Sequence, residues 1–82
     1  MDQGRRFSWY EFFAGGGMAR LGLGDQWKCV FANEWCPKKT SAYRLYFGRC
    51  DELKEGDVAK LTTLDLPGAP HLVWASFPCQ DL

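Results

Sequence analysis

A cysteine between a proline and a glutamine, Pro78-Cys79-Gln80, follows the apolar run His71 to Ser76. A thiol just past a buried strand stands where a substrate would meet a cofactor. As a thiolate it is a strong nucleophile once nearby dipoles or cations lower its pKa. No histidine lies close by in sequence, so a protease-like pair is not visible. A lone cysteine also suits inert burial, and Cys29, Cys36 and Cys50 are read that way. A second candidate is the turn Gly15-Gly16-Gly17, which interrupts an aromatic run. Glycines there let backbone approach a ligand, and a following helix presents free N–H groups. A dinucleotide fingerprint, G-x-G-x-x-G, would need a third glycine where Arg20 stands, so nicotinamide binding loses support. A plain structural turn remains the alternative.

Two carboxylates extend the pattern. Glu34 lies about 20 positions beyond Gly15, the spacing at which an acidic residue meets ribose hydroxyls. Trp35 follows and could lie flat on an adenine ring. A solvated loop carboxylate beside a core tryptophan is the other reading of that pair. Asp57 could accept a hydrogen bond from an adenine amino group, or cap a helix that starts at Val58.

These residues need a scaffold that brings them to one edge. Phe7 to Phe13 reads as a strand, Met18 to Gly24 as a short helix and Lys28 to Asn33 as a second strand. Pro37 suits the first turn of a helix running to Phe47, with Ala42, Tyr43, Tyr46 and Phe47 on one face and Gly48 as its stop. Asp57-Val58 is expected to close a short third strand, and Leu61 to Leu66 to make a helical turn. His71 to Ser76 has the continuous apolar pattern of a strand buried on both faces. Strands alternating with helices indicate an α/β fold with a parallel sheet, in which ligands sit beyond the carboxyl ends of the strands. Every candidate residue falls at such an end. The chain stops just after a strand, from which a fragment or one piece of a split protein is expected.

Composition bounds the function. Eighty-two residues allow one domain or part of one, and 46% hydrophobic content argues against disorder. Ten basic residues balance ten acidic ones, so nothing here marks a self-sufficient nucleic-acid-binding surface. Any surface for phosphates would have to lie mostly elsewhere. Four cysteines without a C-x-x-C pair, and a single histidine, do not support a metal site. No apolar run approaches a membrane span, and no secretory signal precedes Phe7, so a reducing cytoplasm with free thiols is expected.

Taken together, four segments resemble the cytosine-5 DNA methyltransferase family. Glu11-Phe12-Phe13-Ala14-Gly15-Gly16-Gly17 is similar to its first motif, Asn33-Glu34-Trp35 to its second and Gly56-Asp57-Val58 to its third. Ser76-Phe77-Pro78-Cys79-Gln80 resembles its catalytic loop. Glu11 stands where aspartate is commoner, Met18 where the family often has a further glycine, and Ser76 in place of a frequent glycine. The resemblance implies the N-terminal part of a Rossmann-like, S-adenosylmethionine-dependent methyltransferase sheet with flanking helices, spanning residues 1–82. It implies Cys79 as nucleophile. The implied cofactor-binding set is Phe13, Ala14, Gly15, Gly17, Met18, Glu34, Trp35, Asp57, Val58 and Pro78. Double-stranded DNA would be the substrate of the complete enzyme, from a prokaryotic or phage source.

The Glu-Asn-Val motif, the arginine-bearing motif and the target-recognition domain of the family are not among these residues. The chain alone is therefore expected to be inactive and to need a continuation or a C-terminal complementary chain. A tRNA cytosine-5 methyltransferase and a non-catalytic cofactor-binding subunit of a split enzyme are the alternatives. A nicotinamide dehydrogenase fragment would leave Pro78-Cys79-Gln80 unexplained.

Overall fold

The computed structural model describes residues 6–76. Strand β1 (Phe7–Phe12) leads through the glycine turn to helix α1 (Met18–Leu23). Strand β2 (Trp27–Glu34), helix α2 (Pro37–Phe47) and strand β3 (Leu53–Glu55) follow. Two short 3₁₀ turns, Val58–Lys60 and Thr63–Asp65, then lead to strand β4 (Leu72–Ala75). The strands form one parallel sheet in the order β3-β2-β1-β4. Parallel neighbours need crossovers, which α1, α2 and the 3₁₀ segment supply. The α/β expectation is met, and all four strands end at one edge.

The faces of the sheet follow from one irregularity. Trp9 pairs with Cys29 but Tyr10 pairs with Phe31, so Val30 is an extra residue, a bulge in β2. Register then puts Trp9, Glu11, Cys29, Ala32 and Glu34 on one face, with Leu53 and Leu72 beside them. The core lies on that face: Trp9, Ala14, Cys29, Ala32, Tyr43 and Leu53, joined at its margin by Ala19 and Leu23 of α1 and Phe47 of α2. On the opposite face Phe31 makes ring contacts with both Tyr10 and Phe12 at 5.9 Å. The Tyr10 hydroxyl is 2.6 Å from the Pro67 carbonyl and 2.7 Å from that of Gly68, which ties down the loop before β4.

Three expectations are corrected. The third strand ends before Gly56 and does not contain Asp57-Val58; only Leu53–Glu55 pairs with β2. Helix α2 has the expected bounds, with Pro37 in its first turn, but buries Thr40 and Tyr43 and leaves Ala42 and Tyr46 exposed. Inward positions run 40, 43 and 47, because side chains three and four apart share a helical face. Strand β4 is not buried on both faces: Val73, Trp74 and Ala75 are exposed. Among the described residues it pairs with β1 alone, at the edge of the sheet. The helical turn sought in Leu61 to Leu66 is the 3₁₀ turn Thr63–Asp65, held by a capping box between Thr62 and Asp65.

Candidate functional site

The carboxyl ends of β1, β2 and β3 are stitched together by hydrogen bonds around Glu34. Beyond the end of β1, the Ala14 amide donates to the Asn33 carbonyl (3.0 Å). The Glu34 carboxylate then bridges two elements: Oε1 accepts from the Gly15 amide (2.8 Å) and Oε2 from the Cys36 amide (3.0 Å). The Glu34 carbonyl accepts from the Gly56 amide (3.0 Å). Beside it the Asn33 side chain donates to the carbonyls of Lys54 (2.9 Å) and Gly56 (3.1 Å). One acidic residue therefore sets the glycine turn, the start of α2 and the segment after β3 relative to one another.

The turn itself is held in uncommon backbone. Phe13 has φ 59°, left-handed for a residue with a side chain, a conformation that costs on the order of 1 kcal/mol. Gly17 has φ 90°, and a Cβ there would stand 2.2 Å from Cε2 of Phe47. Gly17→Ala is therefore expected to destabilise the fold by roughly 2–4 kcal/mol, from backbone strain plus overlap with a packed ring. Urea unfolding measures this, and the cost of Gly17→Ala should be smaller when measured in a Phe47→Ala background than in the parent. In contrast, the space beyond Gly15 and Gly16 is open.

The rim is apolar and accessible. Trp35 is 68% exposed and Met18 76% exposed. A cleft of about 210 Å³ beyond the ends of β2 and β3 is lined by Asn33, Lys54, Glu55, Gly56, Asp57, Lys60 and Leu61. Asp57 Oδ1 accepts from the Ala59 amide (2.9 Å), so it caps the turn that begins at Val58 while lining this cleft. The cap read from the sequence before Val58 is present, and the same residue lines the cleft.

Glu11 was not among the residues singled out for the site. It is 1% exposed, and its Oε1 has no hydrogen-bond partner. Burial pushes its carboxyl up to about 7; the Arg20 charge opposes the rise and the Glu34 charge adds to it. A lone carboxylate inside an aromatic strand was the available signal. The sign of the linkage is fixed. A carboxyl with a raised native pKa keeps its proton where the unfolded chain has lost it. Stability therefore falls as pH climbs from about 4.5 to about 7 and is level above, by at most about 3 kcal/mol. Glu11→Gln, which mimics the neutral acid, should be more stable than the parent in urea. That advantage should grow across this window and be constant above it.

The sequence-chosen residues Phe13, Ala14, Gly15, Gly17, Met18, Glu34, Trp35, Asp57 and Val58 thus fall along one edge of the sheet. Pro78 and Cys79 lie outside the described residues. A group carrying an adenosine and an ammonium fits what is present: an exposed indole, a carboxylate at the end of β2, open space over Gly15 and Gly16, and a buried carboxyl oxygen lacking a partner. Of the remaining thiols, Cys29 is buried and burial pushes it up to about 11, so it is a poor nucleophile at neutral pH. Among the described residues no cluster of His, Cys, Asp and Glu could hold a metal ion, and no helix is long and apolar enough to cross a membrane.

The profile of C-5 cytosine-specific DNA methylases matches residues 7–82. A type II methyltransferase from Bacillus subtilis, M.BsuFI, is 36% identical over 80 residues. That alignment covers 96% of this chain and 19% of the relative's length.

Proposed function

Since the chain belongs to the C-5 cytosine-specific DNA methylase family, we propose that it is the N-terminal part of a catalytic domain that transfers a methyl group from S-adenosylmethionine to C5 of cytosine in DNA. The observation that carries this reading is the bridge made by Glu34, which ties the glycine turn to the start of α2 beside an exposed Trp35. A carboxylate so placed can accept from ribose hydroxyls with its remaining lone pairs. Trp35 offers an adenine-sized face. Asp57 lines the cleft in which an adenine would end, and Val58 follows it at the start of the 3₁₀ turn. Phe13, Ala14, Gly15, Gly17 and Met18 are assigned to the methionine part of the cofactor, and Pro78, outside the described residues, is assigned with them from the sequence motif. The similarity to a type II methyltransferase supports a restriction–modification setting.

When bound, S-adenosylmethionine supplies an electrophilic methyl group on sulfur. Cytosine C5 is a weak nucleophile by itself. Cys79 as thiolate adds to C6, and the electron pair displaced from the C5–C6 double bond makes C5 nucleophilic. Once C5 carries the methyl group, a base removes its proton, and the electrons left behind re-form the double bond and expel the thiolate. Splitting one hard step into easier ones is the gain from covalent catalysis. The cytosine must leave the duplex to reach the thiol, so base flipping is required. The acid that assists at N3 and the base that takes the C5 proton are not among the assigned residues, so we propose that these 82 residues alone are inactive and act with a continuation or a complementary chain.

The test is transfer of isotopically labelled methyl by the complete enzyme. Label at C5 of cytosine in duplex DNA is expected. Label in tRNA alone would move the assignment to an RNA substrate, and no transfer with intact cofactor binding would indicate a non-catalytic subunit.

A further inference from the structure

Arg20 breaks the dinucleotide fingerprint, and the cofactor site as proposed makes no direct use of it. Its side chain nevertheless crosses from α1 to the opposite elements of the core. The guanidinium carbon sits 4.1 Å from the centre of the Phe47 ring and 5.7 Å from that of Tyr43. Its Nη1 donates to the Tyr43 hydroxyl (2.9 Å) and to Oε2 of Glu52 (2.7 Å), just before β3. The Tyr43 hydroxyl in turn donates to the same Glu52 oxygen (3.0 Å). Tyr43 is fully buried, and burial raises its pKa, which keeps that donor protonated. Phe47, under the guanidinium, is also the ring against which Gly17 is packed so closely that a Cβ would collide.

From this arrangement we infer that Arg20 is a positioning residue for the cofactor loop. It clamps α1 onto α2 and the start of β3, and so fixes the Phe47 ring that seats Gly17 and the turn before it. The inference rests on the proposed role of the Gly15–Gly17 turn in S-adenosylmethionine binding. A planar, always-charged fork suits the task, because one group stacks on a ring and holds two oxygens at once. A glycine at position 20 would leave Phe47 and Glu52 without this partner.

A purely structural role would be to neutralise Glu52, whose side chain is only 15% exposed. The two roles separate in variants of the complete enzyme, with S-adenosylmethionine affinity read by calorimetry and stability by thermal unfolding. Arg20→Met is expected to weaken cofactor binding about tenfold, with kcat at saturating cofactor within about twofold of the parent. The double variant Arg20→Met/Glu52→Gln removes the stranded charge. It should regain thermal stability while its affinity stays about tenfold weak. If it regains both, or if Arg20→Met binds as tightly as the parent, the positioning role is refuted. A parent enzyme that binds no S-adenosylmethionine is a different failure: it removes the cofactor assignment, and this inference with it.

Discussion

Replacing Cys79 with alanine in the complete enzyme should lower kcat by on the order of 10⁴-fold or more while S-adenosylmethionine still binds. The expectation begins with β4. It runs parallel to β1 and ends at Ala75, and the Ser76 amide donates to the Phe12 carbonyl (3.4 Å). The chain therefore leaves the sheet beside the start of the Phe13–Gly17 loop, and Cys79 is three residues further along. None of the described thiols is suited to replace it. Cys29 is buried with its thiol pushed up to about 11, and burial also raises Cys50. Cys36 holds the N-cap position of α2. Alanine at Cys29 or Cys50 should leave turnover within a few fold. Steady-state methylation beside a binding titration distinguishes loss of chemistry from loss of cofactor.

The second large effect is expected at Glu34. Its two oxygens each accept one backbone N–H, from Gly15 and from Cys36. Hydrogen bonds to a charged group contribute roughly 1.5–3 kcal/mol each, and removing the acceptor strands two donors in a largely buried place. Glu34→Ala should weaken S-adenosylmethionine binding by about a hundredfold, close to 2.7 kcal/mol, with a fall in stability of similar size. Glu34→Gln keeps one acceptor but turns an amide N–H₂ toward one of the two donors, so an intermediate loss is expected. Calorimetric Kd values and urea midpoints for the two variants check this. An unchanged Kd in Glu34→Ala would contradict the site as drawn.

What could be read from the sequence was what local chemistry dictates. Pro37 cannot donate and fits a helix start, so α2 began where expected. The glycine run broke β1 at the turn, and spacing alone brought Glu34 to the end of β2. Other features depended on partners distant in sequence. The bulge at Val30 leaves no compositional mark, yet it sets Glu34 on the same face as Glu11. The third strand is three residues long, and its charged residues Lys54 and Glu55 hid it. Its position is set by pairing with Ala32, Asn33 and Glu34. Strand β4 looked buried because an apolar run records the company a strand can keep, whereas among the described residues it has one neighbour. Arg20 read as a defect in a glycine pattern until Tyr43, Phe47 and Glu52 were seen around it.

The most direct test of the proposed chemistry is covalent trapping. The complete enzyme is incubated with S-adenosylmethionine and random-sequence duplexes containing 5-fluorocytosine, and peptides are mapped by mass spectrometry. Fluorine at C5 cannot leave as a proton, so a covalent intermediate should persist. The expected result is an adduct on the peptide that holds Cys79, absent from Cys79→Ala. No adduct, with cofactor binding intact, would contradict Cys79 as the nucleophile acting on DNA.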